Sequence, residues 1–485
     1  MAQANYRYQN SRVAAPAAPA QQTGERWMRQ WWFWLLAFMV FSELIFPFLL
    51  WQAGLPRTMD FLREIVAGIL GIVTLTAVIM RDRIPLGLVF LLGVAFVWSL
   101  IPFFNDQPFG ATLWGLWRFF KYPLMTFFAY LIPKWPKDFA RWFIKFIVVL
   151  MAFEVVVQLA EVAMGSQLGD SLAGTFAWKG VAQLTMFTFL AVCIGFGHWL
   201  ATGESKIMLL VLGLGLVASM LSITKFYVLG IAVIGLASFG LQLIRGGRFR
   251  TLVLYTVLFS LSLGALAFLY NTFLANATGL KPLQEYLTAE SIEGYLFADG
   301  KGDVDGQYNL GHGLAVTYAW SQIAVDTTTT LFGFGMGSRT ESTALKVTGA
   351  SLAEDLYGGA STTGLGIWIQ ELGVIGSVLF LLVNSWIILR LFRHARQTSN
   401  AHLAALEYGL ILYTLFWPMW LWYHRPWIAG GMMTFYWLAL GYVFFEIYRR
   451  PRVEHEDAIK ATMPPPRWGL PPVEVSERRR GPNPS

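Results

Sequence analysis

Lys179, Lys225 and Arg339 are the side chains whose type and placement suit holding a phosphate. Lys179 follows Gly174-Thr-Phe-Ala-Trp at the head of an apolar run, and Lys225 follows Ser222-Ile-Thr between two apolar runs. Arg339 follows a turn built on Gly333, Gly335 and Gly337. An ammonium acts on a phosphate as a point charge, whereas a guanidinium grips it through two parallel hydrogen bonds. His312, in Asn309-Leu-Gly-His-Gly, titrates near neutral pH and is a candidate base or phosphate ligand. Each has a plainer alternative: lysines that snorkel to lipid headgroups, a loop ion pair between Arg339 and Glu341, and a surface histidine with no chemistry.

A second set of charges lies inside apolar runs, where a charge is costly and is a functional candidate by default. Arg118 and Lys121 are three apart and share one helical face; Glu154 and Glu161 are seven apart and share another. The expected arrangement is internal pairing of the two basic residues with the two acids. Glu371 opens a later apolar run, and Glu43 lies near the end of the first. No metal or cofactor is called for. The single cysteine, Cys193, rules out an intrachain disulfide and a cysteine metal cluster. Asp299-Gly-Lys-Gly-Asp303-Val-Asp305-Gly306 lacks the glutamate and the glycine position of a calcium loop and reads as a turn. Asn276-Ala-Thr matches an acceptor sequon. Phosphate-loop, His-Glu-x-x-His and Ser-His-Asp patterns are absent from the sequence.

The elements that must position these residues are membrane helices. With 56% hydrophobic, 16% aromatic and 13% charged residues, the composition excludes an ordinary soluble domain. A span needs roughly 20 mostly apolar residues. About twelve fit, near 30–52, 61–80, 84–104, 112–132, 142–164, 180–201, 206–223, 225–244, 251–274, 365–392, 404–423 and 427–447. The expected fold is therefore an all-α polytopic membrane protein with spans one to nine within 26–275 and ten to twelve within 364–447. Residues 1–25 read as a disordered tail, and so do the Pro- and Arg-rich residues 448–485. Basic clusters at Arg26/Arg29, Arg81/Arg83, Lys134/Lys137/Arg141, Arg245/Arg248/Arg250, Arg390/Arg393/Arg396 and Arg449/Arg450/Arg452 fall on one side of such a fold. That side is cytoplasmic by the positive-inside rule, and it carries both termini. The net charge of +7 thus reads as topology rather than as nucleic-acid binding.

The long interval 276–363 is then external, with four Lys/Arg against ten Asp/Glu. Helical spacing of Leu310, Leu314, Val316, Trp320, Ile323 and Ala324 predicts one amphipathic helix from Asn309 to about Thr328, ended by Asp326-Thr-Thr-Thr-Thr. The glycines after it predict a flexible turn that lets backbone approach another group closely.

Taken together, Gly174-Thr-Phe, Ser222-Ile-Thr-Lys225, the large loop, Leu331-Phe-Gly-Phe-Gly-Met-Gly337 and Glu371-Leu-Gly-Val-Ile-Gly376 resemble the bacterial O-antigen ligase and polymerase superfamily over about residues 170–380. The resemblance implies a GT-C-like, metal-independent membrane glycosyltransferase of the inner membrane. Its lipid-linked donor and acceptor are undecaprenyl-diphosphate sugars. Lys179, Lys225 and Arg339 would stabilise the departing diphosphate, His312 and Glu371 would orient or deprotonate the acceptor, and Trp320 or Tyr318 would stack on a sugar ring. Lys225 and His312 stand where the family often has arginine, and Ala360-Ser-Thr-Thr-Gly stands where its ligases carry a His-Ser or His-Asn pair. These departures favour an exopolysaccharide or capsule polymerase, with other polysaccharide export proteins as candidate partners. The competing expectation is a transporter of polysaccharide or lipid-linked oligosaccharide, which twelve helices and the charges at Arg118, Lys121, Glu154 and Glu161 would also suit. Such a transporter usually shows two related halves, and no internal repeat is visible. A non-catalytic scaffold in an export complex is the third reading.

Overall fold

The computed structural model describes residues 30–52, 54–56, 61–80, 86–169, 171–176, 180–224, 226–246, scattered positions from 253 to 268, 270–275, 282–286, 288–297, 299–301, 308–342, 345–353, 363–423 and 430–455. Long apolar runs with few polar interruptions form helices because each backbone group is then satisfied within its own segment. In chain order these are α1 (Trp31–Gln52), α2 (Phe61–Ile79), α3 (Leu86–Phe104), α4 (Phe109–Leu131), α5 (Phe139–Ala163), α6 (Val181–Thr202), α7 (Lys206–Leu221) and α8 (Phe226–Ile244). Five helices among the described residues are long and apolar enough to cross a membrane: α1, α2, α5, α6 and the later Gly364–Ala395. Their outward faces are oily, with Ile72 66% and Ile79 78% exposed, so the chain is embedded in a membrane. The expected helix 251–274 falls mostly outside the described residues; at its end Tyr270–Ala275, which is described, forms one wide helical turn.

Between α8 and the last helices the chain is short-pieced. Strands Asp299–Lys301 and Tyr308–Leu310 pair antiparallel, as do Glu341–Ser342 and Val347–Thr348. Where one amphipathic helix was expected there are two, α9 (His312–Ile323) and α10 (Thr327–Phe332). Asp326 is the reason: its carboxylate accepts from Thr329 N at 2.9 Å and Thr329 Oγ1 at 2.6 Å. It starts the second helix rather than ending the first, as an N-cap aspartate does.

Four helices follow: α11 (Gly364–Ala395), α12 (Ala401–Leu415), α13 (Trp417–Tyr423) and α14 (Gly430–Phe444). The single helix expected over 404–423 is broken at Phe416 because Pro418 has no N–H for the Thr414 carbonyl. After α14 the chain continues helically to residue 455, although disorder was expected from 448. Arg449 donates to the Tyr130 and Ile132 carbonyls at 2.9 and 2.8 Å, and Arg450 pairs with Glu446 at 2.7 Å, which holds this extension on α4. The core is centred on α6, nearly all of whose residues are buried. It lies against α12, where Gly197 and Gly409 let the two backbones touch.

α11 is not one straight helix. Gly373, with φ 64° and ψ −164°, breaks it after two turns. That conformation belongs essentially to glycine. A Cβ there would stand 2.5 Å from Gly333 N and from the Leu331 carbonyl oxygen. Gly373→Ala is therefore expected to cost ~3 kcal/mol or more in thermal or denaturant unfolding. Gly213→Ala, where the space beside the backbone is open, is expected to change stability by less than about 1 kcal/mol. Equal effects at the two positions would contradict the break.

Candidate functional site

The helix break and the glycine turn fit together. Breaking α11 at Gly373 frees the carbonyls of residues 370–372 from the helical ladder. Phe334 N donates to the Gln370 carbonyl at 2.7 Å and Gly335 N to the Glu371 carbonyl at 3.1 Å. Trp98 Nε1, from α3, lies 3.3 Å from the Leu372 carbonyl and 3.2 Å from that of Phe332. The Leu331–Gly337 and Glu371–Gly376 motifs, some forty residues apart in sequence, are thus the two halves of one joint. The turn expected to be flexible is fixed, with φ of 72°, 90° and 92° at Gly333, Gly335 and Gly337. Gly337 also meets α4, where a Cβ on Gly115 would reach its Cα at 2.5 Å. Asn105 Nδ2 donates to the Phe334 carbonyl at 3.1 Å, and Gln107 Oε1 accepts from Ala350 N at 2.7 Å.

Glu371 closes this joint. Its Oε1 accepts from Arg339 N at 2.9 Å and lies 3.3 Å from Thr340 Oγ1, with the Gly337 N–H adding to them. One oxygen of the carboxylate expected to serve an acceptor hydroxyl is thus bonded to the loop. The Arg339 side chain is only 5% exposed and donates through Nη1 to the Ser351 carbonyl at 2.8 Å. Expected as a phosphate clamp, it is bonded here to the loop backbone.

Glu154 and Glu161 do not pair with Arg118 or Lys121. Both turn to the other side of α5, onto the Gly174–Phe176 turn. Glu154 accepts from Thr175 N at 2.8 Å and from Thr175 Oγ1, and Glu161 accepts from Gly174 N at 3.2 Å. Between them Gln158 donates to the Leu172 carbonyl at 2.8 Å and reaches that of Ala218 at 3.4 Å. Gly169 N donates to the Leu221 carbonyl at 3.1 Å. The segment before α6 is thereby seated against the turn after α7. In that second turn Ser222 Oγ and Thr224 Oγ1 are 2.8 Å apart, and Ile223 is held at φ 55°, rare for a β-branched residue. Thr185 of α6 bridges to Thr224 at 3.4 Å. Lys179 and Lys225 lie outside the described residues, but the turns that lead into them are bound to one another.

His312 is near the second of these. Its Nδ1 is 3.2 Å from the Trp422 carbonyl, so Nδ1 carries the proton and Nε2 is the basic nitrogen. Its ring stacks on Tyr423 at 6.0 Å, and Tyr423 stacks on Phe226 at 4.2 Å, the residue after Lys225. Burial holds its pKa below the usual histidine value, opposed by the bond to Trp422. α9 packs on α11 at Gly366, beside Ala315 and Ala319. Trp320 is 46% exposed, while Tyr318 is half-buried. Two apart on a helix, these rings do not share a face, so only one of them can lie against a given sugar.

Lys121 pairs with Glu64 of α2 at 2.7 Å, and Trp117 Nε1 donates to the other Glu64 oxygen at 2.5 Å. Arg63 reaches Glu43 at 3.4 Å. Sequence reasoning overlooked Arg63, Glu64, Gln158 and Trp98; Arg63 and Glu64 read as the polar start of a helix, and face assignment alone does not reveal which helix lies opposite. Among the described residues no group of histidine, cysteine and carboxylate side chains is arranged to hold a metal. No protein-family model matches the chain, and no curated protein matches it.

Two expectations follow. Glu371→Ala leaves buried N–H groups without an acceptor and should destabilise the protein by about 2–4 kcal/mol, whereas Glu371→Gln, which keeps an acceptor oxygen, should cost less than about half of that. A base role would instead make the two variants equally inactive at equal stability. For His312, a folded-state pKa below the unfolded one means that the unfolded chain binds its proton first as pH falls. Stability is thus flat above about pH 7 and declines as pH drops through 6.5 towards the folded value. His312→Asn should flatten that segment of the stability–pH curve; an unchanged curve would show that His312 is not buried as described.

Proposed function

We propose that this chain is a membrane glycosyltransferase that joins lipid-diphosphate-linked sugar units into a polysaccharide at the outer face of a bacterial inner membrane. In this reading it has twelve spans, cytoplasmic termini and an external loop over 276–363. The observation that carries it is the mutual seating of the two turns that run into Lys179 and Lys225, with His312 next to the second through Tyr423 and Phe226. Two lysines in sequence next to these turns suit a diphosphate leaving group. The acceptor hydroxyl attacks the anomeric carbon, the bond from that carbon to the diphosphate oxygen breaks, and the lipid diphosphate departs with the electron pair. His312 Nε2 takes the hydroxyl proton. Glu371 and Arg339 act at a distance, by fixing the loop that covers the site.

A lipid-linked oligosaccharide carrier is the second reading, favoured by the charge pairs Glu43–Arg63 and Glu64–Lys121 between helices α1, α2 and α4. Lipid extracts of a deletion strain separate the two. A polymerase predicts single repeat units accumulating on the lipid carrier at the outer face, whereas a carrier predicts them trapped at the inner face. Lys179→Ala and Lys225→Ala should each lower polymer formation roughly 100-fold or more without loss of the folded protein. Normal polymer in both variants would overturn the transferase assignment.

A further inference from the structure

Three cations and three carboxylates meet between α1, α2, α4 and α11, and among the described residues one of the cations has no hydrogen-bonded acid. Arg63 is taken by Glu43 at 3.4 Å, and Lys121 by Glu64 at 2.7 Å. Glu64's second oxygen is occupied by Trp117, and Glu371 Oε1 by Arg339 N and Thr340. Arg118 remains. It is partly buried, feels the charges of Glu371 and Glu64, and hydrogen-bonds to none of the described residues. Its position is defined: on α4 it comes one turn after Gly115, the residue pressed against Gly337, so it lies directly below the loop joint. Beside it Tyr122 is buried to 1% exposure, and its hydroxyl has no partner among the described residues. A guanidinium offers five donors in a rigid fork, and leaving such donors unfilled in an apolar surrounding is costly.

We propose that Arg118, assisted by the Tyr122 hydroxyl, binds an oxyanion, a carboxylate or phosphate group, beside the glycine turn. The fork of Arg118 matches two oxygens of such a group, and Tyr122 supplies a third donor. Glu371 and Glu64 act on Arg118 by charge, without a hydrogen bond to it, so the donors of its fork are left for a ligand. This group is separate from the turns that precede Lys179 and Lys225, which rest on α5, α6 and α7. Two sources carry the required chemistry: the phosphate of an anionic lipid headgroup, or the carboxylate of an acidic sugar. Only the second rests on the transferase reading above, and the site stands without it.

The test uses the full-length protein in phosphatidylcholine nanodiscs. One arm adds phosphatidylglycerol to the disc; the other adds trigalacturonate, with maltotriose as the neutral control. Thermal midpoint and apparent affinity are read for wild type, Arg118→Gln, Arg118→Lys and Tyr122→Phe. Wild type should be stabilised by at least one anionic probe and not by maltotriose. Arg118→Gln should bind that probe at least ~10-fold more weakly, and Arg118→Lys, which keeps the charge and loses the fork, should fall between them. Dependence on Arg118 in the phosphatidylglycerol arm identifies a lipid ligand; dependence in the trigalacturonate arm identifies a glycan ligand, even if the lysine variants leave polymerisation untouched. If Arg118→Gln does not fold, Arg118→Lys and Tyr122→Phe carry the comparison. Binding of neither probe, or equal binding by all the variants that fold, would overturn the site.

Discussion

A helix broken inside a membrane protein releases backbone carbonyls that water cannot reach, and everything else here depends on how those carbonyls are bonded. In α11 the break is Gly373, and the partners are Phe334 N, Gly335 N and Trp98 Nε1. Non-helical backbone at this depth is tolerated only where protein or a polar cavity surrounds it. The break therefore forces a segment of the long loop down between α3, α4 and α11. Glu371 completes the arrangement by accepting the Arg339 N–H of the same segment. The glycine turn is seated against α11 by Phe334 N and Gly335 N and against α4 by Gly337.

A second arrangement on the other side of the bundle follows the same logic. Glu154, Gln158 and Glu161 form a polar stripe on α5, in a helix otherwise suited to lipid. Their partners are backbone groups of the entry to α6 and of α7. Both clusters spend expensive buried polar groups on positioning irregular backbone, and in both the irregular backbone leads to a residue singled out for chemistry. Discontinuous helices whose ends point at a polar group are how membrane proteins build sites for charged ligands.

The helices were readable from sequence because apolar runs of span length have few other solutions, and among the described residues eleven of the twelve stretches expected as helices hold an α-helix of several turns. The close backbone approach was readable too, since Gly333, Gly335 and Gly337 mark it. What the sequence concealed was the partner. Spacing shows that Glu154 and Glu161 share a face, but not that the face meets Thr175 rather than Lys121. A lone glycine in an apolar run costs a helix only about 1 kcal/mol, so Gly373 did not by itself announce the break. Asp326 looked like a helix stop because a cap and a stop have the same composition, and only the direction of its hydrogen bonds distinguishes them. Arg339 was expected at a diphosphate and Glu371 at an acceptor hydroxyl; residue type and placement did not show that both also bond to the loop itself.

The central claim is that the loop turn is bonded into the helix break through Glu371. Amide hydrogen exchange over residues 331–340 of the full-length protein tests it directly. The account predicts slow exchange at Phe334, Gly335 and Arg339, whose N–H groups are the ones bonded, with protection at Arg339 lost selectively in Glu371→Ala. Exchange across this stretch at the rate of an unstructured loop, in wild type and variant alike, would contradict it.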